Sequence, residues 1–228
     1  MVTSQRLAVI FDLDGTLVDS EPNYYAAGRR TLAHYGVHDF TWEDHCRFIG
    51  IGTLETLEAL RSAYRIEAPA AELLALQNRF YRELAAAGTE VFPEMRKFVE
   101  RLHAAGIPLA VASGSSLRTI GAVLSATGLS VFFPVAVSAE EVPHGKPEPD
   151  VFLEAARRLG VAPGRCIVVE DAAPGAEAAH LAGMRCIAVP YAAGMPQDAG
   201  FTTAGLVFAG GQEEFDAEQA YAWVAAGD

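Results

Sequence analysis

The sequence predicts an α/β protein built on a doubly wound, mostly parallel sheet with an inserted all-α domain. After residue 88, short and continuously apolar segments alternate with helical segments. This alternation is typical of parallel strands joined by helices that cover both faces of a sheet. Residues 20–88 show helical patterning throughout, which predicts a helical insert after the first strand.

The first strand and the insert are predicted from local signals. Residues 7–15 are short and apolar and end on a glycine, which indicates a buried strand. The insert contains about four helices. Thr41 followed by Asp44 predicts a capping box, and Pro69 and Gly88 bound the last helix of the insert. We therefore expect residues 1–18 and 89–228 to form the sheet domain and residues 19–88 the helical domain.

The second half of the chain supplies the other strands. They are predicted in the segments IPLAVAS (107–113), FFPVAVSAEEV (132–142), RCIVVED (165–171) and MRCIAVP (184–190), each preceded by a helical segment. The segment GLVFA (205–209) predicts an added edge strand, and residues 216–227 predict a final helix. Ligands of such sheets bind at the carboxyl ends of the strands, so the residues that end each strand carry the functional information.

Composition and charge narrow the class of protein. The chain has 228 residues, 51% of them hydrophobic, and no apolar run long enough to predict a transmembrane helix. Its first residues lack the pattern of a signal peptide, and a cytoplasmic location is expected. The net charge of −12 without a basic run argues against nucleic-acid binding. Cys166 and Cys186 lie in apolar strands, which predicts buried, reduced thiols.

Polar and charged residues end the predicted strands. Asp12 and Asp14 follow the first strand in FDLDGT, ASGSS ends the second, and Glu170 and Asp171 end the strand VVED. A lysine lies between them in KPEPD. The expected rim of the sheet therefore carries Asp12, Asp14, Ser113, Gly114, Lys146, Glu170 and Asp171.

This set of residue types predicts a phosphoryl-transfer site. Four carboxylates at one rim repel one another and require a cation, and hard oxygen ligands without a Cys or His cluster favour Mg²⁺. Ser113 and the amides around Gly114 lie where a helix begins, which suits an anion, and Lys146 adds a compact positive charge. Each motif alone is ordinary loop or helix-cap chemistry, so the prediction depends on their joint occurrence at strand ends.

These motifs resemble those of the haloacid dehalogenase superfamily, in its phosphatase branch with a helical cap. FDLDGTLVDSE is similar to the first family motif, ASGS to the second, KPEPD to the third and VVEDAAPG to the fourth. The helical insert is similar to the cap, and the Rossmann-like core of the family is similar to the predicted sheet domain. The resemblance covers nearly the whole chain.

The resemblance implies a role for each rim residue. Asp12 would be the nucleophile that forms an aspartyl-phosphate, and Asp14 the general acid and base. Ser113, Gly114 and Lys146 would bind the phosphate. The metal ligands would be Asp12, Asp14, Glu170 and Asp171, with Mg²⁺ as cofactor, and Thr16 would fix the loop around Asp14.

The resemblance also narrows the reaction. Dehalogenases of the family lack the second aspartate, and phosphonate-cleaving relatives use a cap lysine, whereas this chain has Asp14 and no lysine in residues 20–88. A Mg²⁺-dependent phosphatase of a small phosphorylated metabolite, a sugar or polyol phosphate, is therefore expected. No nucleic acid, membrane or obligate protein partner is expected.

Two other functions stay open at this point. One is a sugar-phosphate mutase of the β-phosphoglucomutase type, which shares all four motifs but has a His and an Arg in the cap where this chain has Tyr24 and Thr53. The other is a non-catalytic metal- or phosphate-binding module. Residues 50–53, GIGT, are interpreted either as a specificity loop or as a simple turn between helices.

Overall fold

A computed structural model describes residues 7–49, 51–191 and 201–227. The chain divides into two compact units: a helical unit, Ser20–Thr89, and a sheet unit formed by the residues up to Asp19 together with those from Glu90 onward. The helical domain was predicted over residues 19–88, so each predicted boundary lies one residue before the boundary in the structure. Gly50, the first residue of the predicted GIGT loop, lies outside the described residues.

The sheet unit contains eight strands and five α-helices among its described residues. The strands are β1 (Ala8–Phe11), β2 (Val18–Asp19), β3 (Glu90–Val91), β4 (Leu109–Ser113), β5 (Val135–Ser138), β6 (Cys166–Glu170), β7 (Arg185–Ala188) and β8 (Leu206–Val207). The helices are α5 (Pro93–Ala104), α6 (Leu117–Ala126), α7 (Asp150–Leu159), α8 (Ala173–Leu181) and α9 (Ala217–Ala226). Short 3₁₀ turns cover Ala139–Glu141 and Pro163–Arg165.

Six of these strands form a parallel sheet in the order β5-β4-β1-β6-β7-β8. Strand β1 lies between β4 and β6, with Val9 paired to both Leu109 and Ile167. The predicted doubly wound parallel sheet is confirmed. Every residue of β1, β4 and β6 is buried, as expected for strands covered on both faces.

The two faces of the sheet have different cores. Ile10 of β1 belongs to a cluster with Val151 and Phe152 of α7, in which small alanine side chains are frequent. Phe11, on the opposite face, packs edge-on against Phe98 of α5 at a centroid distance of 5.8 Å. Successive strand residues point to opposite faces, so the apolar run of β1 fills both cores.

Three parts of the strand prediction need correction. The first strand ends at Phe11, because the chain turns after Asp12. The strand expected over 132–142 is confined to Val135–Ser138, because Ser138 and Glu141 form a capping box that starts a 3₁₀ turn. The two-residue antiparallel pair β2–β3, where the chain leaves and re-enters the sheet unit, was not predicted.

The helical unit contains α1 (Glu21–His34), α2 (Trp42–Cys46), α3 (Thr53–Ala63) and α4 (Ala70–Ala87). The predicted capping box of Thr41 and Asp44 is confirmed at the start of α2, and Pro69 and Gly88 cap the two ends of α4. The core of the helical unit is a cluster of Leu32, Phe40, Leu57, Leu60, Ile66 and Leu73. Across the described residues of both units, no helix combines the length and apolarity needed to span a membrane.

Candidate active site

The turn that follows β1 carries both aspartates of the first motif. The backbone N–H of Asp12 donates to Val169 O of β6, and the N–H groups of Leu17 and Val18 both donate to Leu13 O. These bonds fold residues 13–18 into a tight turn. Gly15 has a φ of +81°, a backbone conformation that residues other than glycine rarely adopt.

Lys146 joins the two sides of the rim. Its Nζ donates to Asp12 Oδ1 at 2.5 Å, to Glu170 Oε1 at 2.6 Å and to Ala112 O at the end of β4 at 3.2 Å. The lysine side chain is only 14% exposed. The loop that follows β5 therefore brings an ammonium group against two carboxylates from neighbouring strands.

Burial and the neighbouring charges shift the pKa values of Asp12 and Lys146. The pKa of the Asp12 carboxyl is raised to about 7, chiefly by burial, with Lys146 opposing the shift and Glu170 and Asp14 adding to it. Burial alone would lower the pKa of Lys146, but the charges and hydrogen bonds of Asp12 and Glu170 outweigh burial and raise it. Lys146 therefore stays protonated at neutral pH, whereas burial disfavours the ionised form of Asp12.

Asp14 is held by serines of the second motif. Its Oδ2 accepts hydrogen bonds from Ser115 Oγ at 2.8 Å and Ser113 Oγ at 3.3 Å. Ser113 Oγ also accepts from the N–H of Ser115 at 3.0 Å. The neighbouring Gly114 is exposed, and a Cβ added there would meet nothing within 4 Å, so the loop is open on that side.

Asp171 and Glu170 occupy space that glycines leave free. Thr16 Oγ1 donates to Asp171 Oδ1 at 2.8 Å, and a Cβ on Gly15 would collide with the same carboxylate. Glu170 Oε2 accepts from the N–H groups of Asp171 and Ala172, each at 2.9 Å. A Cβ on Gly175, in the first turn of α8, would collide with the Glu170 side chain. Both acids are therefore fixed by packing as well as by hydrogen bonds.

The fold and this geometry agree with the comparisons to known proteins. Residues 7–183 match the family of haloacid dehalogenase-like hydrolases. The chain is a member of that family. This hydrolase is 34% identical over 181 residues to fructose-1-phosphate phosphatase YqaB of Escherichia coli strain K12, a match that covers 79% of this chain and 95% of the relative.

Two further relatives have related activities in their names. A phosphorylated carbohydrates phosphatase of Thermotoga maritima is 34% identical over 183 residues, which cover 79% of this hydrolase and 83% of the relative. The solved structure of a putative β-phosphoglucomutase from Thermotoga maritima superposes with a TM-score of 0.75 and 28% identity, over 96% of this chain and 99% of that one. The predicted family is confirmed, and so is the prediction that the protein is a hydrolase.

The carboxylates suit Mg²⁺ by chemistry, although they are not gathered around a common point. In the ranges that the structure describes, no three His, Cys, Asp or Glu side chains form a group that could hold a metal ion. Asp12 and Glu170 are directed at Lys146, and Asp171 is bonded to Thr16. The donors are hard oxygens, and two of the four acids share the single ammonium of Lys146, which fits a divalent cation. The ligand set Asp12, Asp14, Glu170 and Asp171 stays a prediction.

Sequence reasoning missed three residues that shape this site. Ser115 binds Asp14 and lies inside the quoted ASGSS motif, where it received no role. Ser138 ends β5 and donates from Oγ to Ser115 O at 2.7 Å, so the strand-end rule would have found it. Gln212 bonds to the turn that carries the aspartates, and no sequence signal links it to that turn.

The two cap positions that were compared with the mutases, Tyr24 and Thr53, lie in the helical unit. Tyr24 stacks on Tyr81 of α4 with a centroid distance of 4.0 Å, and Thr53 is the first residue of α3. Tyr25 packs against Trp42 and Phe40. His144 lies on an exposed loop beside Asp150.

All three cysteines are free thiols. Burial raises the pKa of Cys166 to about 11, and it also raises the pKa of Cys186. Neither thiol can supply a thiolate at neutral pH, so neither is a nucleophile.

Proposed function

We propose that this hydrolase is a Mg²⁺-dependent phosphatase that releases phosphate from a small sugar or polyol phosphate through an aspartyl-phosphate on Asp12. The observation that supports this proposal most is the joint placement of Lys146, Asp12 and Asp14. Lys146 bonds to Asp12, and the serines that precede α6 hold Asp14 two residues along the same turn. The names of the relatives, which act on fructose 1-phosphate and phosphorylated carbohydrates, support the substrate class.

In the first half of the reaction, a carboxylate oxygen of Asp12 attacks phosphorus. The bond from phosphorus to the ester oxygen breaks, and Asp14 gives its proton to that leaving oxygen. Lys146, Ser113 and the Gly114 N–H would hold the phosphate oxygens while their charge is redistributed. Burial favours this step, since a desolvated carboxylate is a stronger nucleophile than a hydrated one.

In the second half, water attacks the phosphorus of the aspartyl-phosphate. Asp14, now ionised, takes a proton from that water, and the bond between phosphorus and Asp12 breaks to release inorganic phosphate. Asp12, Asp14, Glu170 and Asp171 would hold Mg²⁺, with Asp14 contributing its backbone carbonyl. When bound, the ion would neutralise charge on the phosphate oxygens and reduce their repulsion from Asp12.

The test is phosphate release from a panel of sugar and polyol phosphates, with Mg²⁺ and with a chelator. Release that requires Mg²⁺ and falls more than about 10³-fold in Asp12→Asn supports the proposal. The matched control is Asp216→Asn at the exposed start of α9, because Asn caps a helix as well as Asp does. Undiminished release in chelator would refute the metal, and retained activity in Asp12→Asn would refute the nucleophile.

A mutase is the second candidate, since a solved relative is a putative β-phosphoglucomutase. The cap positions that would carry a His and an Arg hold Tyr24 and Thr53, which cannot supply a cation for a second phosphate. The same panel includes β-glucose 1-phosphate assayed for glucose 6-phosphate. Isomerisation without net phosphate release, primed by a bisphosphate, would establish the mutase. No turnover of any ester under either condition would favour a binding module.

A further inference from the structure

The turn after β1 presents two backbone carbonyls that its own hydrogen bonds do not use. Its internal bonds engage the N–H groups of Gly15, Leu17 and Val18. The carbonyl oxygens of Gly15 and Thr16 accept instead from one distant side chain: Gln212 Nε2 lies 3.0 Å from the first and 3.2 Å from the second. Gln212 therefore bonds to the carbonyl groups of the two residues that follow Asp14.

The orientation of the Gln212 amide follows from its partners. Two carbonyl oxygens accept hydrogen bonds, so the NH₂ end must face them. Its Oε1 is then buried without a hydrogen-bond partner. Leaving an acceptor buried and unpaired carries a desolvation cost comparable to what the two donated bonds contribute. The net contribution of this side chain to folding stability is therefore small, and its main effect is on the position of the turn.

The segment that carries Gln212 is itself firmly placed. The N–H of Gly211 donates to Phe208 O at 2.8 Å, and the buried rings of Phe208 and Phe215 pack at a centroid distance of 5.0 Å. Phe215 also packs on Phe98 of α5. Gln212 thus extends from a segment anchored by packed phenylalanine rings toward a turn in which Gly15 has a φ of +81°.

We propose that Gln212 is a positioning residue for proton transfer. By holding the Gly15 and Thr16 carbonyls, it keeps the turn in the conformation in which Asp14 reaches Ser115 and Thr16 reaches Asp171. This inference rests on the proposed function, because it assigns Asp14 the general-acid role. Its expected signature is a selective loss of general-acid catalysis with little loss of stability.

The experiment compares two leaving groups in Gln212→Met, a variant of nearly the same shape that cannot donate. A sugar alkoxide needs a proton from Asp14 to leave, whereas the p-nitrophenolate of p-nitrophenyl phosphate does not. We expect kcat/KM for the best sugar or polyol phosphate of the panel to fall about 10-fold or more, and that for p-nitrophenyl phosphate to change less than about 2-fold. The Tm should stay within about 2 °C of the parent.

The control is Gln219→Met on the exposed surface of α9, which repeats the chemical change and should leave both esters unaffected. Equal losses for the two esters in Gln212→Met would reduce Gln212 to a structural residue and overturn the inference, as would no loss for either.

A second readout keeps the inference testable if the parent enzyme turns over no ester. Amide hydrogen exchange of Leu17 and Val18, which donate to Leu13 O inside the turn, should accelerate about 10-fold in Gln212→Met. Unchanged exchange would show that Gln212 does not hold the turn. Absence of turnover in the parent would refute the proposed function without deciding this point.

Discussion

Each of the two units buries a cluster of titratable side chains, and the clusters differ in the number of acids they hold for each basic side chain. In the helical unit, Glu21 Oε2 lies 2.7 Å from His45 Nε2, one acid against one base, with side chains 12% and 11% exposed. Tyr25 and Trp42 pack around the imidazole. In the sheet unit, Lys146 faces Asp12 and Glu170, with Asp14 and Asp171 on adjacent backbone.

Burial is common to both clusters, so burial does not distinguish them. The desolvation cost of a buried one-to-one pair is offset only when its geometry is good and its remaining polar atoms are hydrogen-bonded. In the sheet unit a single ammonium, that of Lys146, contacts two acids. The pKa of Asp12 is raised chiefly by burial, and Glu170 and Asp14 add to the rise. The excess of acids over bases, rather than burial, therefore marks the cluster in the sheet unit as the place where a cation and an anionic ligand are expected.

The largest expected effect is on Lys146. Lys146→Met removes the ammonium that bonds to Asp12 and Glu170, and phosphate release should fall by about 10³-fold because the phosphate loses its fixed cation. The chain has one other lysine, Lys97, exposed on α5 and paired with Glu94. Lys97→Met should retain full activity in the same assay. Similar activities of the two variants would contradict the assignment of Lys146.

The next effect tests how tightly the acidic cluster is packed. Gly15→Ala should lower activity about 10²-fold, because the new Cβ collides with the Asp171 carboxylate. Gly128→Ala is the control: its φ of +70° imposes the same backbone strain, about 1–2 kcal/mol, but its Cβ would meet nothing within 4 Å. Urea unfolding should show similar losses of stability for both, and phosphate release should separate them. Equal activities would show that crowding at Asp171 is unimportant.

A smaller effect is expected at the balanced pair. A double-mutant cycle with Glu21→Leu and His45→Leu should give a coupling free energy of unfolding of about 1–3 kcal/mol, since each single variant leaves a buried polar partner unpaired. The half-exposed pair of Arg30 and Glu83 in the same unit should couple by less than about 1 kcal/mol. A coupling at Glu21 and His45 no larger than this surface value would mean that burial adds nothing to the pair.

The smallest effect concerns the ion-pair cluster of Glu154, Arg157 and Arg158 on α7. Hydrogen bonds from Arg157 and Arg158 lower the pKa of Glu154 to about 2, below its ordinary value of 4.5. A depressed folded-state pKa stabilises the protein above about pH 4.5, and this contribution is lost as the pH falls toward 2. Glu154→Gln should therefore have a slightly lower Tm than the parent at pH 7, and the difference should shrink below about pH 4. A difference that persists in acid would exclude an electrostatic origin.

The sequence predicted the fold and most of the rim because both depend on local signals. Apolar runs located the strands, and parallel strands bring their carboxyl ends to one edge. Asp12, Lys146 and Glu170 could therefore be expected together from their positions at strand ends, and the structure joins them through Lys146. Their catalytic roles stay proposals.

The remaining features depend on contacts between distant segments. Gln212 is close to the first motif only because the last strand and α9 fold back beside the turn, and a glutamine in a loop carries no sign of that. The β2–β3 pair is two residues long, too short for any periodicity to reveal it. The direction of the Glu170 carboxylate toward Lys146 and two backbone amides is likewise set by packing against Gly175.

The central place of β1 in the sheet also orders events during synthesis. Val9 emerges from the ribosome long before its two partners, Leu109 and Ile167. Until those strands are made, Asp12 has neither the buried setting that raises its pKa nor Lys146 beside it. A nascent chain that stops short of Glu170 holds Asp12, the proposed nucleophile, but not its environment. The proposed chemistry is thereby withheld until the growing polypeptide has passed Asp171.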